Sequence, residues 1–173
     1  MKKCLIVVDY QNDFVNGALG FEKAVQLDEL ISEKIENYHK NNYDVIFTFD
    51  THTTDYLNTQ EGKNLPIEHC IENTDGHKLY GKTATMIKDY DKCFYKPSFG
   101  SAELFEYLKN TEYESIELCG VVSNICVISN AVLAKTAQPE TEIIVDSNCV
   151  ASNDDRLNEY ALEVMKSFHI NIV

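Results

Sequence analysis

The residue whose type and position best suit a chemical reaction is Cys126, in the segment GVVSNICV at residues 120–127. An apolar run precedes this segment, and the stretch that follows it, residues 128–134, has the composition of a helix. We therefore expect Cys126 in a first helical turn just after a strand, where free backbone N–H groups and the helix dipole favour a thiolate. The chain has six cysteines, and buried cysteines are commonly structural. A catalytic role for Cys126 is therefore supported only by the residues expected to lie beside it.

Asp9 and Lys96 are the residues expected to act with Cys126, since each directly follows a short apolar run. Asp9 could accept the thiol proton and later deliver it to a leaving amine. Lys96 could hold carboxylate and thiolate together and lower the thiol pKa. Taken singly, Asp9 is equally a turn-forming acid and Lys96 a surface lysine, so only their joint placement indicates catalysis. No histidine has an obvious place beside Cys126.

A second group of residues has the types that bind divalent metals. Asp50 and His52 lie two residues apart at a strand end, so they project to the same side, and Glu61 and His69 follow in the next loop. Two carboxylates and two imidazoles would neutralise a 2+ ion and leave positions open, as in catalytic sites; Zn²⁺, Mn²⁺ and Fe²⁺ all accept such ligands. Three other residues of the loop could take a ligand's place: Asp55, Glu68 and His77.

The elements that must position these residues follow from hydrophobic patterning. Six short apolar runs predict strands at residues 4–8, 45–49, 93–95, 116–119, 143–145 and 170–173. Because these runs lack polar alternation, they are typical of a parallel sheet that is buried on both faces. Helical spacing occurs at 24–38 and 157–168, and a shorter helix begins at Ser101. Segment 50–90 is interpreted as a functional loop with one short helix near 79–88.

This alternation predicts a single α/β domain over residues 1–173. We expect a three-layer α/β/α sandwich, Rossmann-like, with a mostly parallel sheet of about six strands. Ligands of such sheets bind beyond the carboxyl ends of the strands. Asp9, Asp50, Lys96 and Gly120 each end or follow a predicted strand, so the chemistry-bearing residues should meet at one edge.

Composition narrows the class of protein. The chain has 173 residues and a net charge of −13, which argues against nucleic acid and anionic membranes as partners. The apolar run near the N-terminus is too short for a signal peptide, and no stretch approaches the length of a membrane span. We therefore expect a soluble, cytoplasmic protein whose cysteines are reduced thiols.

The motifs, in this order, resemble those of the isochorismatase-like cysteine hydrolases, and within them the nicotinamidase/pyrazinamidase branch. The match extends along nearly the whole chain and is specific because of its order rather than any single piece. Its parts are VVDYQNDF at 7–14, FDTH at 49–52, EG at 61–62, LPIEHC at 65–70, KPSF at 96–99 and GVVSNICV at 120–127.

The resemblance implies roles for particular residues. It implies a catalytic triad of Asp9, Lys96 and Cys126, and a divalent metal, with zinc the first choice. The implied metal ligands are Asp50, His52 and His69, with Glu61 as fourth ligand in some members. It also implies a non-proline cis peptide between Val121 and Val122, with the Val122 and Cys126 N–H groups forming an oxyanion hole. Phe14 and Val121 are the implied substrate contacts.

The implied reaction is hydrolysis of a small amide, nicotinamide first, to acid and ammonia through a Cys126 thioester. In the branch the pyridine nitrogen binds the metal, and Phe14 could pack on the ring. The resemblance further implies self-association into a homo-oligomer and a place in NAD salvage. Two departures bear on the substrate: Leu65-Pro66-Ile67 lacks the tryptophan common beside the last metal histidine, and Ser123-Asn124 stands where many members have Thr-Asp.

Three alternatives stay open. A carbamoyl or ureido amidase would keep the fold and triad, although such members commonly lack the metal ligands. Isochorismate hydrolysis is disfavoured, because that branch does not use this cysteine. A non-catalytic metabolite-binding or thiol-redox module, with Cys126 as an oxidation sensor, is the alternative from another class.

Overall fold

Six strands form one sheet at the centre of the protein in a computed structural model, which describes residues 2–173. They are β1 (Lys3–Val8), β2 (Asp44–Asp50), β3 (Lys92–Lys96), β4 (Ser115–Val121), β5 (Glu142–Ala151) and β6 (Asn171–Ile172). Their order is β3-β2-β1-β4-β5-β6, and every neighbouring pair is parallel. The predicted parallel sheet is confirmed.

Helices cover both faces of the sheet. They are α1 (Asn12–Val15), α2 (Glu22–Gln26), α3 (Asp28–Lys40), α4 (Gln60–Asn64), α5 (Thr83–Met86), α6 (Ala102–Lys109), α7 (Ile128–Ala137) and α8 (Asp155–Ser167). Buried residues of α6, α7 and α8 pack with one face of the sheet, and those of α2 and α3 pack with the other. This arrangement is the predicted three-layer α/β/α sandwich.

Two helix predictions needed correction. The pattern at 24–38 belongs to two helices, because the chain turns at Leu27 between α2 and α3. Leu27 is itself buried, so the apolar spacing continues through the break. Segment 50–90 holds more than the one predicted helix: besides α5 it forms a 3₁₀ turn at Tyr56–Asn58 and helix α4. Helices of three to five residues are too short to show a 3.6-residue period.

Strand β5 is ten residues long, whereas the sequence predicted only its apolar start. Leu118 of β4 pairs with Val145 of β5, and the next recorded pair is Gly120 with Val150. The residues of β5 between Val145 and Val150 therefore form an irregularity in the pairing. Polar residues in this irregular part hid the rest of the strand. Among the described residues, no helix combines the length and apolar character needed to cross a membrane.

Gly120 allows β1 and β4 to approach closely just below the carboxyl edge of the sheet. Its φ is +113°, in a region that residues with a side chain rarely adopt, and a Cβ at this position would lie 2.1 Å from the Val8 carbonyl oxygen. Val8 and Gly120 are paired in the sheet, and Asp9 follows Val8 directly. The glycine therefore sets the spacing of the two strands from which Asp9 and the Cys126 segment continue.

Candidate active site

The carboxyl ends of four adjacent strands bring the chemistry-bearing residues together. Asp9 follows β1, Asp50 ends β2, Lys96 ends β3, and the Cys126 turn follows β4. A cavity of about 360 Å³ opens here, and Asp50 and Cys126 both line it. The expected convergence at one edge of the sheet is therefore what the structure shows.

Lys96 is the centre of the polar cluster. Its Nζ lies 2.6 Å from Asp9 Oδ2, 3.3 Å from Asp50 Oδ1 and 3.7 Å from Cys126 Sγ, and it donates to the Ser98 carbonyl at 2.9 Å. The side chain is only 1% exposed. Burial alone would lower the lysine pKa, but the neighbouring charges, led by Asp9, outweigh burial and raise it above its ordinary value. Lys96 is therefore an ammonium ion.

Asp9 has the properties of a proton acceptor. It is fully buried, and its φ of +47° places a non-glycine residue in the left-handed region. Burial raises the pKa of its carboxyl above the ordinary value, while Lys96 opposes this shift. Thr48 Oγ1 donates to Asp9 Oδ1 at 2.7 Å. A raised carboxyl pKa suits a group that must take up a proton and release it again.

Cys126 departs from two expectations. It lies in a π-helical turn, Ser123–Val127, that precedes α7 rather than in the first turn of that helix. Burial, followed by the negative charge of Asp9, raises the pKa of its thiol well above the ordinary value, and the opposing charge of Lys96 is too weak to reverse this. The predicted lowering of the thiol pKa is wrong, so Cys126 carries a proton until a base removes it.

Of the two valines just before the π-helical turn, Val122 faces the cavity and Val121 does not. The Val121–Val122 peptide bond is cis, as the resemblance implied. Val122 lines the cavity with Cys126. Val121, the last residue of β4, is fully buried in the core on the α3 side of the sheet. Its side chain is thus committed to core packing and is not part of the cavity wall, so the expected contact of Val121 with substrate stays a prediction.

The four residues expected to bind metal form a compact group. One ligand atom from each of Asp50, His52, Glu61 and His69 lies within 4.8 Å of all the others. Nε2 of His52 is 2.9 Å and Nε2 of His69 is 3.4 Å from Asp50 Oδ2. Both nitrogens are 3.7 Å from Glu61 Oε1. Two nitrogen and two oxygen donors that converge in this way fit a divalent transition metal.

Hydrogen bonds and charges prepare this group for a cation. Nδ1 of His69 is 2.8 Å from the Ile67 carbonyl, which leaves Nε2 free of the proton and directed at Asp50 and Glu61. Burial would raise the pKa of Asp50, but the adjoining imidazoles of His52 and His69 and the charge of Lys96 hold this pKa below its usual range. Asp50 is therefore ionised.

The alternative ligands lie outside the group. His77 Nε2 is 2.8 Å from Thr51 Oγ1, and its ring stacks on Tyr95, with the ring centroids 5.9 Å apart. Asp55 and Glu68 are exposed. Among the acidic and histidine residues of this loop that spacing left open, Glu61 and His69 are the ones that the fold brings to Asp50 and His52.

Apolar side chains form most of the remaining cavity wall. Phe14, expected to contact substrate, lies in this wall, and its ring centroid is 5.4 Å from that of His69. Leu65, from the segment that lacks a tryptophan, is also part of it. Besides Val122, the other apolar lining residues are Leu19, Phe21, Phe99 and Ile125, to which the sequence analysis assigned no role.

Three polar residues near the site were missed by the sequence analysis. Gln11 donates to the Asp50 carbonyl at 2.9 Å and accepts from the Asp50 N–H at 2.8 Å, so it fixes the end of β2. Asn130 donates to the Cys126 carbonyl at 2.8 Å. Asn153 lines the cavity. Gln11 offered a signal, because it follows a strand end, whereas nothing local distinguishes Asn130 or Asn153.

Fold and site together define an α/β protein with an acid–lysine–cysteine cluster beside a candidate metal site. The chain belongs to the isochorismatase family, since the family model described as "Isochorismatase domain" matches residues 3–172. The resemblance found in the motifs, including that to the nicotinamidase/pyrazinamidase branch, is confirmed by individual relatives.

Among solved structures, the nicotinamidase/pyrazinamidase of Bacillus subtilis is 29% identical, with a TM-score of 0.89 and full coverage of both chains. The pyrazinamidase of Pyrococcus horikoshii in complex with zinc is 25% identical, with a TM-score of 0.87 over 100% of this chain and 99% of the other. Among curated proteins, the nicotinamidase of Saccharomyces cerevisiae is 25% identical over 99% of each chain.

Proposed function

We propose that this protein is a metal-dependent cysteine amidohydrolase that converts nicotinamide and water to nicotinate and ammonia. The observation that carries the proposal is the position of Lys96 Nζ, 2.6 Å from Asp9 Oδ2 and 3.7 Å from Cys126 Sγ, at the wall of a largely apolar cavity. The similarity to nicotinamidases supports the reaction and the substrate.

In the first half-reaction Asp9 removes the proton from Cys126 Sγ as the sulfur attacks the amide carbon. A carbon–sulfur bond forms, and the carbonyl oxygen becomes an oxyanion that accepts hydrogen bonds from the Val122 and Cys126 N–H groups. Asp9 then gives its proton to the nitrogen as the carbon–nitrogen bond breaks and ammonia leaves. Lys96 remains protonated and stabilises the negative charge that passes between Asp9 and the sulfur.

In the second half-reaction Asp9 removes a proton from water, which attacks the thioester carbon. The carbon–sulfur bond breaks, Asp9 returns its proton to Cys126, and the nicotinic acid that forms releases a proton to solvent as nicotinate. Because the pKa of Asp9 is raised by burial, the same carboxyl can serve as acceptor and donor in turn.

Asp50, His52, Glu61 and His69 would hold a divalent cation, with zinc the first choice and manganese or iron as options. When bound, the cation supplies a Lewis-acidic position that orients the ring of the substrate. Phe14, in the cavity wall beside His69, would pack against that ring. This ligand group favours nicotinamidase activity over a carbamoyl or ureido amidase. A cytoplasmic location, a role in NAD salvage and self-association into a homo-oligomer remain part of the proposal.

The decisive experiment is an ammonia-release assay with nicotinamide and the metal-loaded protein. We expect turnover by the unsubstituted protein and its loss in Cys126→Ala, because no other group on the cavity wall can form the thioester. Cys149→Ala is the matched control, since Cys149 is also buried but lies outside the cavity. An unchanged rate in Cys126→Ala would disprove the mechanism. Turnover of a carbamoyl compound but not of nicotinamide would disprove the substrate.

A further inference from the structure

Thr48 is a polar residue within the apolar interior of a strand. It lies in β2 between Phe47 and Phe49, and it is fully buried. A hydroxyl in such a place must find a hydrogen-bond partner, because an unpaired buried hydroxyl is costly. Its partner therefore shows what the residue does.

The partner of Thr48 is the carboxyl group that we propose as the catalytic base. Thr48 Oγ1 donates to Asp9 Oδ1 at 2.7 Å, and the Asp9 N–H approaches the same Oγ1 at 3.3 Å and the Thr48 carbonyl at 3.2 Å. Val8 and Thr48 are paired in the parallel sheet, so the hydroxyl reaches the residue just beyond the end of β1.

The two oxygens of Asp9 thus have different surroundings. Oδ1 is bound by Thr48, and Oδ2 lies 2.6 Å from Lys96 Nζ, the group that also contacts Cys126 Sγ. A carboxyl group held only at Oδ2 could rotate about its Cβ–Cγ bond. The hydroxyl at Oδ1 removes this freedom.

We propose that Thr48 is a positioning residue for the amide hydrolysis described above. Its hydroxyl fixes the plane of the Asp9 carboxyl group so that Oδ2 faces Lys96 and the sulfur of Cys126. Thr48 touches neither the cavity nor the sulfur, and it acts only through Asp9. The inference rests on the proposed role of Asp9 as the base.

A purely structural role would make the opposite prediction for two substitutions. Thr48→Val keeps the shape of the side chain and removes the hydroxyl, whereas Thr48→Ser keeps the hydroxyl and removes a methyl group. If Thr48 only fills space in β2, the valine variant is active and the serine variant is the impaired one. If Thr48 positions Asp9, the valine variant is impaired and serine restores function.

The test measures kcat and KM for ammonia release from nicotinamide with both variants as metal-loaded, full-length proteins. We expect Thr48→Val to lower kcat by about 10- to 100-fold, the equivalent of one hydrogen bond to a charged group. KM should stay near that of the unsubstituted protein, because Thr48 does not contact substrate, and Thr48→Ser should retain most of kcat. Full kcat in Thr48→Val, or equal losses in both variants, would overturn the proposal.

A second readout separates this inference from the proposed function. The rate at which iodoacetamide alkylates Cys126, corrected with Cys126→Ala, depends on Asp9 as proton acceptor but not on any amide substrate. We expect Thr48→Val to slow this alkylation and Thr48→Ser to leave it nearly unchanged. If the unsubstituted protein releases no ammonia from nicotinamide, the proposed substrate fails, and the alkylation rates still decide the role of Thr48. Equal alkylation rates in all three proteins would overturn it.

Discussion

Lys96 supplies the positive charge that balances the buried carboxyl groups around it. Asp9 and Asp50 are both buried, and Lys96 contacts both of them. With the ammonium in place, the Asp9 carboxylate can remain next to a neutral thiol. In the proposed mechanism the proton therefore leaves the thiol at the moment of attack, and the free protein stores no reactive thiolate.

Lys96→Met should therefore damage both folding and activity. It leaves Asp9 without its counter-ion in the interior, and removing one partner of a buried pair costs about 3–5 kcal/mol of unfolding free energy. The pKa of Asp9 would rise further, because burial would act unopposed by Lys96. Urea denaturation and the ammonia assay check both effects. Lys92→Met, on the same strand but exposed, should cost less than about 1 kcal/mol and keep activity. Equal stability of the two variants would contradict the buried-pair account.

At the residue scale, the sequence predicts those groups whose chemistry is visible in their type and place. Asp9, Asp50, Lys96 and the Cys126 segment stand out because they follow apolar runs. The thiol pKa was predicted with the wrong sign, since the depth of Cys126 and the charge of Asp9 beside it depend on long-range packing. Thr48 was missed for the same reason, because its partner is 39 residues away in the chain.

At the scale of elements, the close approach of β1 and β4 makes Gly120 a sensitive position. Gly120→Ala would place a Cβ 2.1 Å from the Val8 carbonyl oxygen and require a φ of +113°. We expect a loss of at least about 1–3 kcal/mol, together with lower activity, because the strand that leads into Asp9 must shift.

Gly100→Ala is the matched control for this substitution. Its Cβ would come within 2.8 Å of Leu133 Cδ1, the end of a flexible side chain that can move away, and φ does not lie in the left-handed region. Thermal unfolding of both variants measures the difference. A Gly120→Ala variant as stable as Gly100→Ala would show that the strands can separate without cost.

Elements were predictable where their apolar residues formed a continuous run or a regular helical spacing. Apolar runs located the six strands, and helical spacing located α8 and the region of α3. Ser101, where the sequence places the start of a helix, caps α6 by accepting from the N–H group of Leu104, and Asp154 caps α8 by accepting from that of Leu157. The turn at Leu27 and the π-helical turn at Cys126 were not predictable. Both are set by tertiary packing, which decides where a short helix ends.

At the scale of the whole molecule, negative charge is concentrated where a cation would bind. The chain has a net charge of −13, and its fold gathers Asp9, Asp50 and Glu61 around one lysine. Three carboxylates and one ammonium leave a formal charge of −2 when the histidines and the thiol are neutral. A divalent cation held by Asp50, His52, Glu61 and His69 would balance this charge, which links metal binding to the stability of the fold.

Metal removal should therefore lower the melting temperature of the whole domain. A metal that binds only the folded chain stabilises it by RT ln(1 + [L]/Kd), which is about 2.7 kcal/mol at a free concentration 100 times Kd. Mn²⁺, Fe²⁺ or Zn²⁺ is added, under reducing and anaerobic conditions, to protein from which a chelator has removed the metal. The increase in melting temperature should be smallest with Mn²⁺, larger with Fe²⁺ and largest with Zn²⁺, because binding to nitrogen and oxygen ligands follows the Irving–Williams series. His52→Ala combined with His69→Ala should abolish the increase, whereas His39→Ala, which removes a histidine paired with Asp91 far from the site, should not. An equal rise in the double variant would place the metal elsewhere.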